Sequence, residues 1–304
     1  MIKVAVTGGA SGAAGELVRL LVNHPDVELK WIHSRENAGA AVTDVHRGLA
    51  GETYMRFTDR MDWDGVDQLF VCPGSDVAVN DAPASVKIVD LTGERCMPGA
   101  HDYIYGLPEY NRKALVRGAR HVACPGAVAT ALSLALLPLA ARGVSVGSVC
   151  AAAVTGADVA AMIPDRPLRH PAVAEAEALL RSVRPGFTDG ISLMAFTGPS
   201  GRGVLATVCA DMPAGLGVDD VRGIFVDFYS DHSFTFVSDR PVDIRDVAGT
   251  NRAMIHIEEA GARVIVTAVI DSMLKGAAGN AVHCMNLLFG LHERVGLVLK
   301  SSAG

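Results

Sequence analysis

In the N-terminal part of the chain, apolar and polar positions fall into short β-prone runs separated by helical periods. Ile2-Lys-Val-Ala-Val-Thr7 is such a run, and it enters Gly8-Gly-Ala-Ser-Gly-Ala-Ala-Gly15 and then the helical pattern Glu16-Leu-Val-Arg-Leu-Leu-Val-Asn-His24. A second strand is predicted at Val27 to His33. Two buried strands follow at Gln68 to Cys72 and Lys87 to Leu91, each closed by turn residues, Pro73-Gly74-Ser75 and Thr92-Gly93-Glu94. Further on, an extended segment starting at His121 stops at Cys124-Pro-Gly126, and a small-residue apolar helix runs from there to Leu139. Strands alternating with helices imply a doubly wound parallel sheet, whose ligands sit outside the carboxyl ends of the strands.

Beyond Leu139 the pattern changes. Ser145 to Val154 reads as a strand and Ala174-Glu-Ala-Glu-Ala-Leu-Leu180 as a helix. Further strands are predicted at Gly203 to Ala210, Gly223 to Tyr229, Met254 to Glu258 and Arg263 to Ile270, a strand-rich antiparallel sheet in an α+β domain. Lys275-Gly-Ala-Ala-Gly-Asn280 opens an apolar helix through Phe289 that returns to the first domain. The implied division is 1–125, completed by 275–304, and 126–274.

Composition narrows the function. The chain has 304 residues, half of them hydrophobic and 20% charged, enough for two domains with a substantial core. A net charge of −6 and a pI near 5.9 give no general attraction for nucleic acid or an anionic membrane, so the partner expected is a small molecule. Six cysteines are scattered singly without a CxxC pair, which indicates neither a zinc site nor a disulfide framework and suggests a reducing compartment. No leader and no membrane-spanning stretch is read, so the expected location is cytoplasmic, with no metal.

Strand, glycine turn and helix in this order form a phosphate-binding arrangement. Gly9, Gly12 and Gly15, with Ser11 among them, allow a tight turn, close approach of backbone to pyrophosphate and close helix packing, with phosphate at the helix N-terminus. The second strand ends in Ser34-Arg35, a hydroxyl and a guanidinium suited to the 2′-phosphate of NADP, and no acidic residue occupies the strand tip; the alternative is a solvated loop arginine. Ser75, Arg95 and the turn before Cys124 are placed to converge on one crevice, although Ser75 suits a helix cap equally well. Pro125 fits the first helical position, which leaves Cys124 at the N-cap, where backbone N–H groups and the helix dipole favour thiolate. The other reading of Cys124 is a small buried residue at a strand end. His170 beside Arg169 at a helix entrance suits an anionic substrate or a structural role, and Glu109 and Arg112 read as a surface pair.

Taken with Tyr105-Gly-Leu-Pro-Glu-Tyr-Asn-Arg112, Gly249-Thr-Asn251 and the long stretch Val269 to Gly290, these motifs make the chain resemble N-acetyl-gamma-glutamyl-phosphate reductases, relatives of aspartate-semialdehyde dehydrogenase, over nearly its whole length. The resemblance implies a Rossmann-type NADP(H) domain, a catalytic and dimerisation domain, assembly as a homodimer or homotetramer, and reduction of an acyl phosphate to an aldehyde through a cysteine thioester. It also implies cofactor contacts from Ser75 and Asn280, substrate contacts from Arg95, Glu109 and Arg169, and acid/base work by His170.

The chain departs from the family at the nucleophile. The family pattern Asn-Pro-Gly-Cys-Tyr-Pro-Thr-Ala, aligned on Pro125-Gly126 and Thr130-Ala131, places Ala127 at the cysteine position and Cys124 at the asparagine. The His-Arg-His-x-Pro-Glu segment becomes Leu168-Arg-His-Pro171, and Gly198-Pro-Ser-Gly-Arg-Gly-Val-Leu205 has lost its Pro-His. Three readings follow: a reductase using Cys124 as thiolate, an NADPH enzyme transferring hydride without a thioester, and a non-catalytic nucleotide-binding homologue. The first expects Cys124 to be the most reactive of the six thiols, with a pKa under the ~8.5 of a free cysteine. The Ser34-Arg35 pair leads to an expected preference for NADPH over NADH of at least about tenfold.

Overall fold

The computed structural model describes residues 1–77, 81–97, 102–158, 170–188 and 190–301. Two compact units emerge, one made of Met1–Pro125 with Ala277–Val298, the other of Gly126–Gly276 with the last residues.

The first unit is a doubly wound, Rossmann-type sheet. Its strands are β1 (Ile2–Thr7), β2 (Val27–His33), β3 (Phe57–Thr58), β4 (Gln68–Val71), β5 (Lys87–Asp90), β6 (Ile104–Tyr105) and β7 (His121–Ala123), in the order β3-β2-β1-β4-β5-β7-β6. Every pairing is parallel. The direction of winding reverses between β1 and β4, so the crevice for a ligand opens at the carboxyl end of β1. Helix α1 (Gly12–Leu21) buries Leu17, Val18, Leu20 and Leu21 and turns Arg19 outward to Glu16. After α2 (Val42–Val45), α3 (Pro108–Val116) begins with proline at its first turn. The last helix, α8 (Ala278–Leu288), is buried along its whole length and packs against α1, α3 and β5. Polar contacts fix it there: His24 Nε2 lies 3.0 Å from Asn286 Oδ1, and Lys87 Nζ donates to the Leu288 carbonyl at 2.5 Å.

The second unit is α+β. Helix α4 (Ala127–Arg142) leads into β8 (Ser148–Thr155), α5 (Pro171–Val183), β9 (Gly190–Thr197), β10 (Val204–Asp211), α6 (Val218–Tyr229), β11 (Thr235–Ser238), α7 (Ile244–Val247), β12 (Ala253–Ala260) and β13 (Arg263–Ile270). The sheet order is β11-β12-β13-β10-β8-β9. The three central pairings are antiparallel, but β11 with β12 and β8 with β9 are parallel, so the expectation of a wholly antiparallel sheet fails at both edges.

Gly223 to Tyr229 is not a strand. Its β-branched and aromatic residues belong to α6, where Val221, Phe225 and Tyr229, spaced by four, form the buried stripe, and the Asp220 carboxylate accepts the Gly217 N–H at 2.8 Å. Helix α4 is apolar on every side and buried through Ala140. It carries Pro138, which removes the N–H that would have bonded the Leu134 carbonyl four residues back. The buried Tyr229 hydroxyl donates to that carbonyl instead, at 2.7 Å, so α6 repairs the ladder of α4.

Helices α4, α5 and α6 pack against the sheet. Across the opposite face runs the row Phe196, Val154, Leu205, Val269, Met254, Phe236, each residue beside the next in register. Val269 is covered by Val242 and Val247, but at the two edges Phe196 and Phe236 are 55% and 44% exposed.

Candidate functional site

The glycine turn after β1 is built as a phosphate site requires. Gly8 has φ +66°, and a Cβ there would also lie 2.4 Å from the Cys72 carbonyl oxygen, so only glycine fits. Ser11 caps α1: its hydroxyl accepts the Ala14 N–H at 3.2 Å and donates to the Gly8 carbonyl at 2.9 Å. Gly12 is the first helical residue. Gly15 is small for a reason that no sequence motif displays: a Cβ would stand 2.5 Å from Nδ1 of His46, whose Nε2 lies 2.7 Å from the Gly9 carbonyl oxygen. Gly9 itself lies against β2, its N–H bonded to the His33 carbonyl.

A cleft of about 350 Å³ opens here, lined by Gly8, Ala10 and Ser11 from the turn, His33 to Glu36 from the end of β2, and Pro73, Gly74 and Asp76 from the loop after β4. The donor set fits a dinucleotide, with a capped helix N-terminus for pyrophosphate and a hydroxyl and a guanidinium at the second strand tip. Ser34 Oγ accepts from Asn37 at 2.9 Å. Arg35 is 72% exposed, with Nε 3.1 Å from Asp76 Oδ2. No acidic residue occupies the strand tip itself, but Glu36 just beyond it and Asp76 from the loop after β4 both line the cleft with Arg35. Ser75 Oγ accepts the Val77 N–H at 3.3 Å, a local turn contact.

The head of α4 differs from the expectation. The cap is Gly126, with extended φ −67° and ψ 157°, and the helix begins at Ala127. Cys124 thus lies two residues before the cap, and Ala127 takes the first helical position. Cys124 is buried, its N–H bonded to the Asp90 carbonyl at 2.7 Å and its thiol hydrogen-bonded to that of Cys284. That bond, burial and nearby negative charge hold its pKa well above the ordinary value, the reverse of the expected depression. Ala127 is 9% exposed, and a Cβ on Gly276 would lie 2.5 Å from its methyl carbon. None of the six cysteines forms a disulfide.

The other candidates are placed as follows. His170 is the N-cap of α5; its Nδ1 accepts the Ala172 N–H at 3.1 Å, and burial lowers its pKa. Its Nε2 is buried without a hydrogen-bond partner among the described residues. Arg169 lies outside the described residues. Arg95 binds the buried Asp90 carboxylate at 2.5 Å and stacks over the Tyr103 ring. Glu109, read from the sequence as half of a surface pair, is buried in the first turn of α3, and Arg112 meets Glu293. Asn280 donates its amide N–H to the Gly106 carbonyl at 2.6 Å, fixing the turn after β6.

The second unit holds a polar cluster that the sequence reading did not assemble. Asp271 is fully buried; it accepts from Arg202 at 2.6 Å and from the Gly249 N–H at 2.8 Å. Ser272 donates to Asp158 and accepts the Gly203 N–H. Burial raises the Asp158 pKa against the opposing pull of Ser272 and Arg202. Asn251 is buried beside this group in sequence, with both amide atoms unpaired among the described residues. The sequence signals for it were the Gly249-Thr-Asn251 motif, the stretch Val269 to Gly290, which carries Asp271 and Ser272, and Gly198 to Leu205, which carries Arg202. Among the described residues there is no cluster suited to a metal ion, and no helix is long and apolar enough to cross a membrane.

Known proteins match this arrangement along its length. The family model described as semialdehyde dehydrogenase, NAD binding domain, matches residues 3–117, and that described as semialdehyde dehydrogenase, dimerisation domain, matches residues 159–272. N-acetyl-gamma-glutamyl-phosphate reductase of Parabacteroides distasonis is 40% identical over an alignment 324 positions long, covering all of both chains, and that of Phocaeicola vulgatus is 39% identical with the same coverage. In fold, the chain is similar to a probable aspartate-semialdehyde dehydrogenase from Pseudomonas aeruginosa, with a TM-score of 0.72 at 19% identity, over 95% of this chain and 98% of that one. Aspartate semialdehyde dehydrogenase with NADP from Candida albicans gives a TM-score of 0.73 at 15% identity over the same shares. On the full-length relationship and the two domain matches, the chain belongs to the semialdehyde dehydrogenase family, among relatives named N-acetyl-gamma-glutamyl-phosphate reductase.

Proposed function

We propose that this protein is an NADP(H)-dependent oxidoreductase that interconverts an acyl phosphate of the N-acetyl-glutamyl type and its semialdehyde. The observation that carries this is the 40% identity to a reductase of that name over the whole of both chains. The reaction needs a dinucleotide held by its phosphates, a nucleophile for the acyl group, and a hydride acceptor carbonyl. Bound at the Ser11-capped turn, the nicotinamide nucleotide supplies the hydride. In the thioester route a thiolate attacks the acyl carbon and phosphate leaves; hydride then adds to the thioester carbonyl and the thiolate leaves, giving the aldehyde. At the head of α4 the thiol available for this is Cys124, and its bond to Cys284 and its burial keep it protonated, so that route carries the cost of deprotonation.

A second reading is favoured by that same environment together with Ala127: a member of the family that binds nucleotide and moves hydride without a thioester. The two are separated by incubating the protein with N-acetylglutamate semialdehyde, NADP and phosphate and following nicotinamide absorbance. Phosphate-dependent NADPH formation that Cys124→Ala abolishes supports the first reading; activity that is indifferent to phosphate and to Cys124→Ala supports the second. No nicotinamide reduction under any condition removes both.

We further propose a homodimer or homotetramer that covers the sheet face bearing Phe196 and Phe236, in the cytoplasm, where six cysteines that form no disulfide persist. Sedimentation of Phe196→Glu against the parent reads the assembly.

A further inference from the structure

The nucleotide cleft holds charges of both signs. Arg35 is the one cation among its lining residues, and two carboxylates, Glu36 and Asp76, stand beside it. Asp76 is the better placed of the two. One of its oxygens lies 3.1 Å from Arg35 Nε; the other lies 3.5 Å from His33 Nδ1, a buried ring nitrogen without a hydrogen-bond partner among the described residues. Asp76 comes from the loop after β4 and Arg35 from the end of β2, on opposite sides of β1, so the pair spans the mouth of the cleft at the switch point of the sheet.

We propose that Asp76 sets the balance between the two nicotinamide dinucleotides at this site, so that NAD(H) is accepted alongside NADP(H). The proposal rests on the dinucleotide reading above. A carboxylate accepts hydrogen bonds only, which suits the two ribose hydroxyls of NAD and opposes the 2′-phosphate of NADP. A guanidinium acts the other way, since it donates and is drawn to phosphate. Here the two groups are in contact through Arg35 Nε, so a 2′-phosphate that takes the remaining guanidinium donors lies beside the Asp76 charge. Because Arg35 and Asp76 are 72% and 40% exposed, their own pairing is weak and does not close the site to phosphate. The outcome is a site with the preference for NADP(H) held down, in place of the tenfold or greater preference expected from Ser34-Arg35 alone.

Equilibrium binding of NADPH and NADH, followed by nicotinamide fluorescence at fixed ionic strength, tests this without turnover. In the parent protein the two dissociation constants are expected within about tenfold of each other. Asp76→Asn should tighten NADPH and weaken NADH, moving their ratio by roughly tenfold or more, and Asp76→Ser should move it the same way. In an Arg35→Ala background, the gain for NADPH should shrink while the loss for NADH persists. Unchanged melting temperatures establish that each variant is folded. If both nucleotides bind and neither substitution moves their ratio, Asp76 is not the determinant. If neither nucleotide binds the folded parent, the dinucleotide reading itself is wrong, and this inference goes with it.

Discussion

Two helix heads, at α1 and α4, show what this chain has kept and what it has exchanged. The head of α1 is polar, capped by Ser11, and opens on a cleft. The head of α4 has no side-chain cap; Gly126 holds the cap position, Ala127 follows with its methyl against Gly276, and the nearest thiol upstream is buried against another thiol. Both heads end in N–H groups that attract negative charge. Only the first has side chains that turn that attraction into a binding site. On the proposed function, nucleotide binding and nucleophilic chemistry are separable: the first head presents a capped turn opening on a cleft, while the second carries Ala127 where the family resemblance implies a cysteine.

The largest expected effect comes from breaking the first head. Gly8→Ala forces a side chain into the left-handed region and against the Cys72 carbonyl; it should cost about 3 kcal/mol or more of stability and abolish nucleotide binding, read by denaturant melts and fluorescence. Next is repair of the second. Ala127→Cys places a thiol at the first helical position, where the dipole favours thiolate, and should raise phosphate-dependent aldehyde oxidation about a hundredfold, close to 2.7 kcal/mol. The introduced thiol should alkylate near neutral pH ahead of exposed Cys150, and native Cys124 should lag behind both. That order reverses the one inferred from sequence. A gain of activity without this thiol reactivity would break the comparison.

How much was legible depended on how local the cause was. Strands β1, β2 and β13 and the glycine turn announce themselves within a few residues, and they were read correctly. Gly223 to Tyr229 was misread because its aromatic and β-branched residues mimic a strand unless Val221 and the Gly217 cap are counted with them. Strands β9 and β11 were not predicted; both are edge strands whose alternate residues face outward, so no continuous apolar run marks them. Ser11, Ser34 and Arg35 line the cleft, and their places in the glycine turn and at the tip of β2 are legible in a few residues of sequence. Asp76 was missed because its relation to Arg35 exists only once β4 lies beside β1. The cap of α4 was misplaced because Pro125 was taken as the first helical residue when the chain stays extended through Gly126.

Two smaller effects sharpen the contrast between the helices themselves. Tyr229→Phe leaves the Leu134 carbonyl without its donor at Pro138 and should cost about 1 kcal/mol, or about 2–4 °C in the second unit's melting temperature. A null result would mean that water takes over the bond. The smallest effect is in acid. Burial lowers the pKa of His170, so the unfolded chain takes up a proton first as pH drops below about 6.5, and stability falls until the folded-state pKa is passed. His170→Asn keeps a capping side chain without the proton and should flatten that part of the stability profile while leaving the plateau above pH 7 nearly unchanged.

The placement of α8 bears on how the protein is made. The first sheet leaves the ribosome before the second unit, yet the helix that packs on β5 and joins His24 through Asn286 is translated only after the whole of residues 126–276. The later unit can therefore close on the nascent chain while the earlier one still waits with an apolar surface uncovered. A message broken off after residue 276 would yield a protein with a finished second sheet and an unfinished nucleotide domain, prone to aggregation and to degradation. The nucleotide domain is thus completed by residues 277–298, far in sequence from the glycine turn that opens it.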